Sequence, residues 1–225
     1  MKTVELAVKN KSTKLAIILS VILVCCVIMG VVDAIISPSY AMKSLIKIFL
    51  FLACPVIYSY YDKEVSLKKL FYIQKKSFVK SLLLGIGVFI IILAAYFSKV
   101  TTSLENNVGV SKDNFVFISL YISFINSMLE EFFFGGFAFL SLKRFNSRFF
   151  AYSISSLAFA LYHVSMMIGW FSIGTFLLVI IGLIAGGVIF NFLNERNENV
   201  YSSWMVHMFA NFAINAVGFM LFGIL

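Results

Sequence analysis

The chain is 225 residues long, 61% of them apolar and 12% charged, against about 45–50% and about 25% in an ordinary soluble domain, and its mean hydropathy is +0.99. These values exclude a soluble globular domain, a disordered chain and a secreted disulfide scaffold, and describe one membrane-embedded unit over residues 1–225. The net charge of +8 is spread over the ends of apolar runs, with no basic helix carrying interleaved aromatics, so anionic lipid and not nucleic acid is its partner.

Seven apolar runs near the length of a membrane span follow one another, which predicts an all-α polytopic bundle of about seven transmembrane helices. The first, 15–36, follows Lys9, Lys11 and Lys14. It is too long for the apolar part of a signal peptide and reads as a retained anchor. It holds Cys25 and Cys26, and the second run, 45–61, holds Cys54. No Cys or His spacing among the three could hold zinc through sulfur, so they read as small packing residues. The second run is the weakest, because Lys47 falls in its first turn and Pro55 should kink it. Then come 78–98, 115–142, 149–170, 173–193 and 200–225, with 62–76 and 99–113 read as interfacial loops. With the N-terminus cytoplasmic, 14 of the 18 basic residues fall on inner loops. Only Lys43, Lys47, Lys99 and Lys112 fall outside, which predicts seven spans with the C-terminus outside.

Ionisable groups inside hydrocarbon cost at least about 2.5–3.5 kcal/mol each at a helix centre, so they are functional candidates. Five are present. Asp33 is close to an interface and reads as a solvated or capping carboxylate. Glu130 and Glu131 are adjacent in SMLEEFFFGGF, and helical neighbours diverge by about 100°, so the two should have separate tasks. His163 follows Phe159 by one turn, and His207 precedes Asn211 by one turn. These are the only two histidines in the chain. A carboxylate in an apolar cavity can take a proton from water and return it to a leaving amine, while imidazole and carboxamide can share the water, hold a metal, or donate to an oxyanion. This set suits amide hydrolysis. The HExxH, GxSxG and GxGD signatures of other intramembrane hydrolases are absent.

Glu130-Glu131, Phe159-x-x-x-His163 and His207-x-x-x-Asn211 resemble, in order, the EExxxR, FxxxH and Hxxx(N/D) motifs of the CAAX protease and bacteriocin-processing family, also called CPBP or Abi. The resemblance covers roughly 115–225, which it marks as the catalytic core, with helices over 15–98 preceding it. It implies an intramembrane endopeptidase opening to the cytoplasmic side. In it Glu130 activates water, His163 assists, His207 and Asn211 form the oxyanion side, and Glu131 and Phe159 support them. Members are described both as metal-dependent and as metal-free, so Glu130, His163 and His207 could also hold a divalent metal such as zinc. The motif's Arg is Gly135 here, which leaves Glu131 without its usual partner.

The implied substrate is a membrane-associated peptide or protein, with bacteriocin or toxin-precursor maturation, self-immunity or peptide signalling as the roles, in a bacterial plasma membrane. A non-catalytic scaffold of the same architecture, binding a peptide, kinase or cell-wall partner, is the rival that the missing Arg favours. A proton-coupled transporter would also bury Glu and His, but the polar residues cluster in three late helices and no paired half-helices are seen.

Overall fold

The computed structural model describes residues 2–63, 67–72, 75–97, 112–169, 172–221 and 223–224. Among them there is no strand. The helices are α1 (Lys2–Val31, continued by a wide turn over Val32–Ile36), α2 (Tyr40–Tyr61), the short α3 (Leu67–Leu70), α4 (Lys75–Phe97), α5 (residues 112–145), α6 (Arg148–Met167), α7 (Ile173–Asn197) and α8 (Tyr201–Leu221). Six of the long helices are apolar enough to cross a membrane. The seventh is α8, which carries His207, Asn211 and Asn215 in its 21 residues.

Helix starts are set by hydroxyl caps. Ser39, Ser147 and Ser172 accept from the amides of Met42, Phe150 and Thr175, each occupying a donor that the first turn leaves free. The cap at Ser39 begins α2 five residues before the expected start, so Lys47 lies well inside the span instead of in its first turn. At the other end of α6 the chain turns through Gly169, at φ 82°, so that helix stops at Met167 and not at 170. Residue 170 and most of the loop expected over 99–113 lie outside the described residues, and Lys112 and Asp113 already belong to α5. Nor is 62–76 a simple interfacial loop. Leu70 is buried, packs with Phe132 and Val200, and accepts the Val200 amide at 3.0 Å.

Three of the membrane helices contain wide π turns: Val32–Ile36 in α1, Phe49–Ala53 in α2, and Ile122–Asn126 and Glu131–Phe139 in α5. In α2 the turn lies just before Pro55, where it relieves the clash between the proline ring and the preceding carbonyls. A wide turn frees carbonyls from the regular ladder, and in hydrocarbon no water can take them. Here each turn has side-chain donors aimed at it. Asn211 donates to Ile122 O at 3.2 Å, Trp204 to Phe124 O at 3.0 Å and Ser155 to Phe134 O at 2.9 Å. Cys25 Sγ lies 3.8 Å from Leu50 O, and Ser37 Oγ donates to Asp33 O at 3.0 Å.

The main core joins the first two helices to α5 and α6. Ile18, Ile22, Cys25 and Met29 of α1 pack with Phe51, Phe133, Phe137 and Tyr162, and the Phe51 and Phe133 rings stack at 4.2 Å. Ion pairs close the two ends of the α1–α2 pair: Lys14 with Asp62 at 2.9 Å, and Lys43 with Asp33 at 3.0 Å. Asp33 is therefore a buried carboxylate paired with Lys43, where a solvated or capping one was expected. On the far side α4 packs along α8, where a Cβ at Gly85 would come 2.7 Å from the Phe209 ring. Gly85→Val should destabilise the protein in detergent by about 1–3 kcal/mol, the range for overpacking. Gly87→Val is the matched control, since nothing lies within 4 Å of its Cβ position. Unfolding titrations of the two variants check this, with a loss expected only at Gly85.

Candidate functional site

Helix α5 runs parallel to α2 and antiparallel to α6 and α8, and its centre carries Glu130 and Glu131. Leu129–Phe139 is buried on every side, so both carboxylates must find partners within protein. Glu130 uses its two oxygens differently. Its Oε1 accepts from the Lys47 ammonium and, at 3.0 Å, from Asn126 Nδ2. Its Oε2 is buried and has no hydrogen-bond partner, but faces His163 Nε2 at 3.6 Å and His207 Nε2 at 3.5 Å.

The other nitrogen of each imidazole fixes its tautomer. His163 Nδ1 lies 2.8 Å from Phe159 O, which can only accept. His207 Nδ1 lies 2.9 Å from Glu131 Oε1, again an acceptor when ionised. In their neutral forms both rings thus carry the proton on Nδ1 and turn the Nε2 lone pair toward Glu130 Oε2. Three acceptors converge with no donor among them. Phe190 stacks on His207 at 5.0 Å, and Phe159 lies 4.5 Å from His163 and 5.7 Å from His207 between centroids. These rings hold the imidazoles and keep the surroundings apolar. His163 is the most open member, with 16% of its side chain exposed against 2% for Glu130.

Glu130, His163 and His207 are thus brought together. Phe159 stands between the two imidazoles. Glu131 also reaches this site, through His207. The two carboxylates approach His207 from opposite ring nitrogens, at the junction where α5 widens. Asn211 sends its amide to Ile122 O and not to Glu130. The metal set is not formed: among the described residues no three His, Cys, Asp or Glu side chains come together in a way that could hold a metal ion. Lys47 and Asn126 occupy Glu130 Oε1, which leaves the carboxylate a single oxygen toward the two imidazoles.

Lys47 is the residue of this site that sequence reasoning passed over, since it was placed on the outer side in the first turn of the second run. It is 5% exposed, contacts Glu130 and Asn126, and sits over the Tyr162 ring at 4.7 Å and the Phe51 ring at 5.5 Å. Its signal was visible as a cation inside an apolar run, four residues before a core Phe. Asn194 is a second such residue. It is fully buried, its amide atoms have no partner among the described residues, and it occupies the space over Gly135. A Cβ there would run into its amide and would come 3.3 Å from Glu131 Oε2. A groove of about 900 Å³ between α6 and α7, lined by Tyr152, Leu157, Val188 and Phe192, contains none of these residues.

Residues 112–213 match the family model described as type II CAAX prenyl endopeptidase Rce1-like. This is the family, one of CAAX-type intramembrane proteases, that the three motifs pointed to, and the matched stretch holds all three. No curated protein and no solved structure matches the chain.

Because Asn194 fills the place where the motif's Arg would begin, restoring a side chain at 135 should harm the protein. Gly135→Ala is expected to cost about 1–3 kcal/mol of stability, with part recovered in Gly135→Ala/Asn194→Ala. Detergent unfolding of the single and double variants measures both.

Proposed function

We propose that the chain is an intramembrane endopeptidase that hydrolyses a peptide bond in a membrane-associated peptide or protein, with Glu130 as the base that activates water. The observation that carries this reading is the convergence of Glu130 Oε2, His163 Nε2 and His207 Nε2 on a spot where none of them can donate. A water there donates its two hydrogens to two of the acceptors and keeps a lone pair for attack.

In this mechanism the water oxygen bonds to the scissile carbonyl carbon as its proton passes to Glu130 Oε2. The carbonyl oxygen becomes the oxyanion. His207, its Nδ1–H held by Glu131, stays neutral and accepts the water's other hydrogen at Nε2, while the oxyanion is met from the side of Asn211. Asn211, oriented by its bond to Ile122 O, offers its remaining N–H. Glu130 returns the proton to the leaving nitrogen as the C–N bond breaks. His163 orients the water, and Phe159 orients His163.

The proposed setting is a bacterial plasma membrane, with the N-terminus cytoplasmic and the C-terminus outside. The proposed tasks are maturation of a bacteriocin or toxin precursor, self-immunity or peptide signalling. The substitution at Gly135 favours the scaffold reading, in which the same site binds a membrane peptide without cutting it.

The test uses purified protein in lipid vesicles with three probes: a farnesylated CAAX peptide, the same peptide without its prenyl group, and a bacterial leader peptide. Wild type should cleave at least one. Glu130→Gln should lose about 10²–10⁴-fold, the contribution of a positioned base, at unchanged membrane insertion. Glu131→Gln keeps an acceptor oxygen for His207 Nδ1 and should retain far more activity. Full cleavage by Glu130→Gln would remove this residue from the chemistry, and no cleavage of any probe by wild type would favour the scaffold.

A further inference from the structure

The family match begins at residue 112, yet the residue in closest contact with Glu130 comes from α2. The three hydrogens of the Lys47 ammonium have three directions to satisfy. Glu130 Oε1 takes one, Asn126 Oδ1 another, and the face of Tyr162 at 4.7 Å receives the third. None is left for a substrate. The ammonium lies on the Oε1 side of the carboxylate, while both imidazole Nε2 atoms face Oε2. The two oxygens of Glu130 are therefore made unequal by their surroundings.

Lys47 is itself held in place. Phe51, one turn on, stacks on Phe133 of α5 at 4.2 Å and makes an edge contact with Tyr162 at 5.3 Å. Its ammonium thus sits in a cage whose walls belong to α2, α5 and α6. A buried ion pair with this many hydrogen bonds keeps both charges. A lone carboxyl in the same apolar bundle would take up a proton and lose the capacity to accept one from water. The groups facing Glu130 are Lys47 from α2, Asn126 from α5, His163 from α6 and His207 from α8.

We propose that Lys47 is the positioning residue of this site: it keeps Glu130 ionised and pins Oε1, so that Oε2 alone is presented to the space between the two histidines. This rests on the endopeptidase reading for its consequence in catalysis, though not for the state of Glu130. The site is then assembled from α2 as well as from the family-matched segment.

Isotope-edited infrared difference spectra in vesicles read that state directly. Wild type minus Glu130→Gln should show carboxylate bands and no carboxylic acid carbonyl band. In Lys47→Gln the acid band should appear, and it should vanish in Lys47→Gln/Glu130→Gln. Lys47→Arg, which restores a cation, should return the carboxylate pattern. With a cleavable probe from the three above, Lys47→Gln should lose about a hundredfold or more of activity, and Lys47→Arg should recover much of it. An acid band for Glu130 in wild type overturns the proposal, as does a Lys47→Gln protein that retains the carboxylate bands or cleaves at the wild-type rate. Because the wild-type spectrum needs only wild type and Glu130→Gln, an acid band there overturns the proposal even if Lys47→Gln fails to fold, and Lys47→Arg, which keeps the cation, tests the lysine itself. Absence of cleavage by wild type removes the endopeptidase reading and leaves the spectra to decide the charge of Glu130.

Discussion

Hydrocarbon offers no solvent to a charge, and that constraint organises the bundle around one contact, between Lys47 and Glu130. Each of these residues alone would be an unsupported ion in the membrane. Together they tie α2 to α5, and their shared partners extend the tie to α6 through Tyr162 and to α8 through His207. The stacked Phe51 and Phe133 one turn away reinforce the same pair of helices. The same logic recurs at smaller scale, where Asp33 meets Lys43 and Asp62 meets Lys14.

The wide turns belong to this account. A straight α5 would need nothing from its neighbours along its backbone. Widened twice, it presents carbonyls that Asn211, Trp204 and Ser155 answer from α8 and α6. Each satisfies a carbonyl that hydrocarbon would leave bare, and together they tie α5 to both neighbours. One of these bonds fixes Asn211 of α8 against the first wide turn of α5, so backbone irregularity also sets how the two helices meet.

Much of this could be read from residues in advance. The seven apolar runs and the order of the motifs rest on composition and one-turn spacings, which a helix preserves. Boundaries drifted where a Ser cap or Gly169 set them, because such signals act over one or two residues. Lys47 was misplaced because a cation near the end of an apolar run reads as an interface marker unless its partner is known, and the partner is 83 residues away. Glu131's contact with His207 was hidden by the assumption of regular helix geometry across residues where the helix is wide. Asn194's position was half legible. Gly135 and Gly136 lack side chains and so permit a close approach, but only the tertiary arrangement says that an amide from α7 fills it.

The separation of Lys47 and Glu130 along the chain has a consequence for how the protein is made. Translation delivers α2 long before α5, so at that stage a helix with an unneutralised ammonium has to be handled by the insertion machinery. On the biological insertion scale such a residue costs roughly 2.5–3.5 kcal/mol at a span's centre, and α2 is also interrupted by Pro55 and a wide turn. Until α5 arrives, α2 is best accommodated at the lipid–water boundary or in a protein-lined vestibule, with its lysine hydrated. Its settling into the bilayer core is then a late event, coupled to the arrival of the carboxylate that discharges it. Topogenesis of this chain is accordingly not a sequence of seven independent decisions: the second span waits for the fourth.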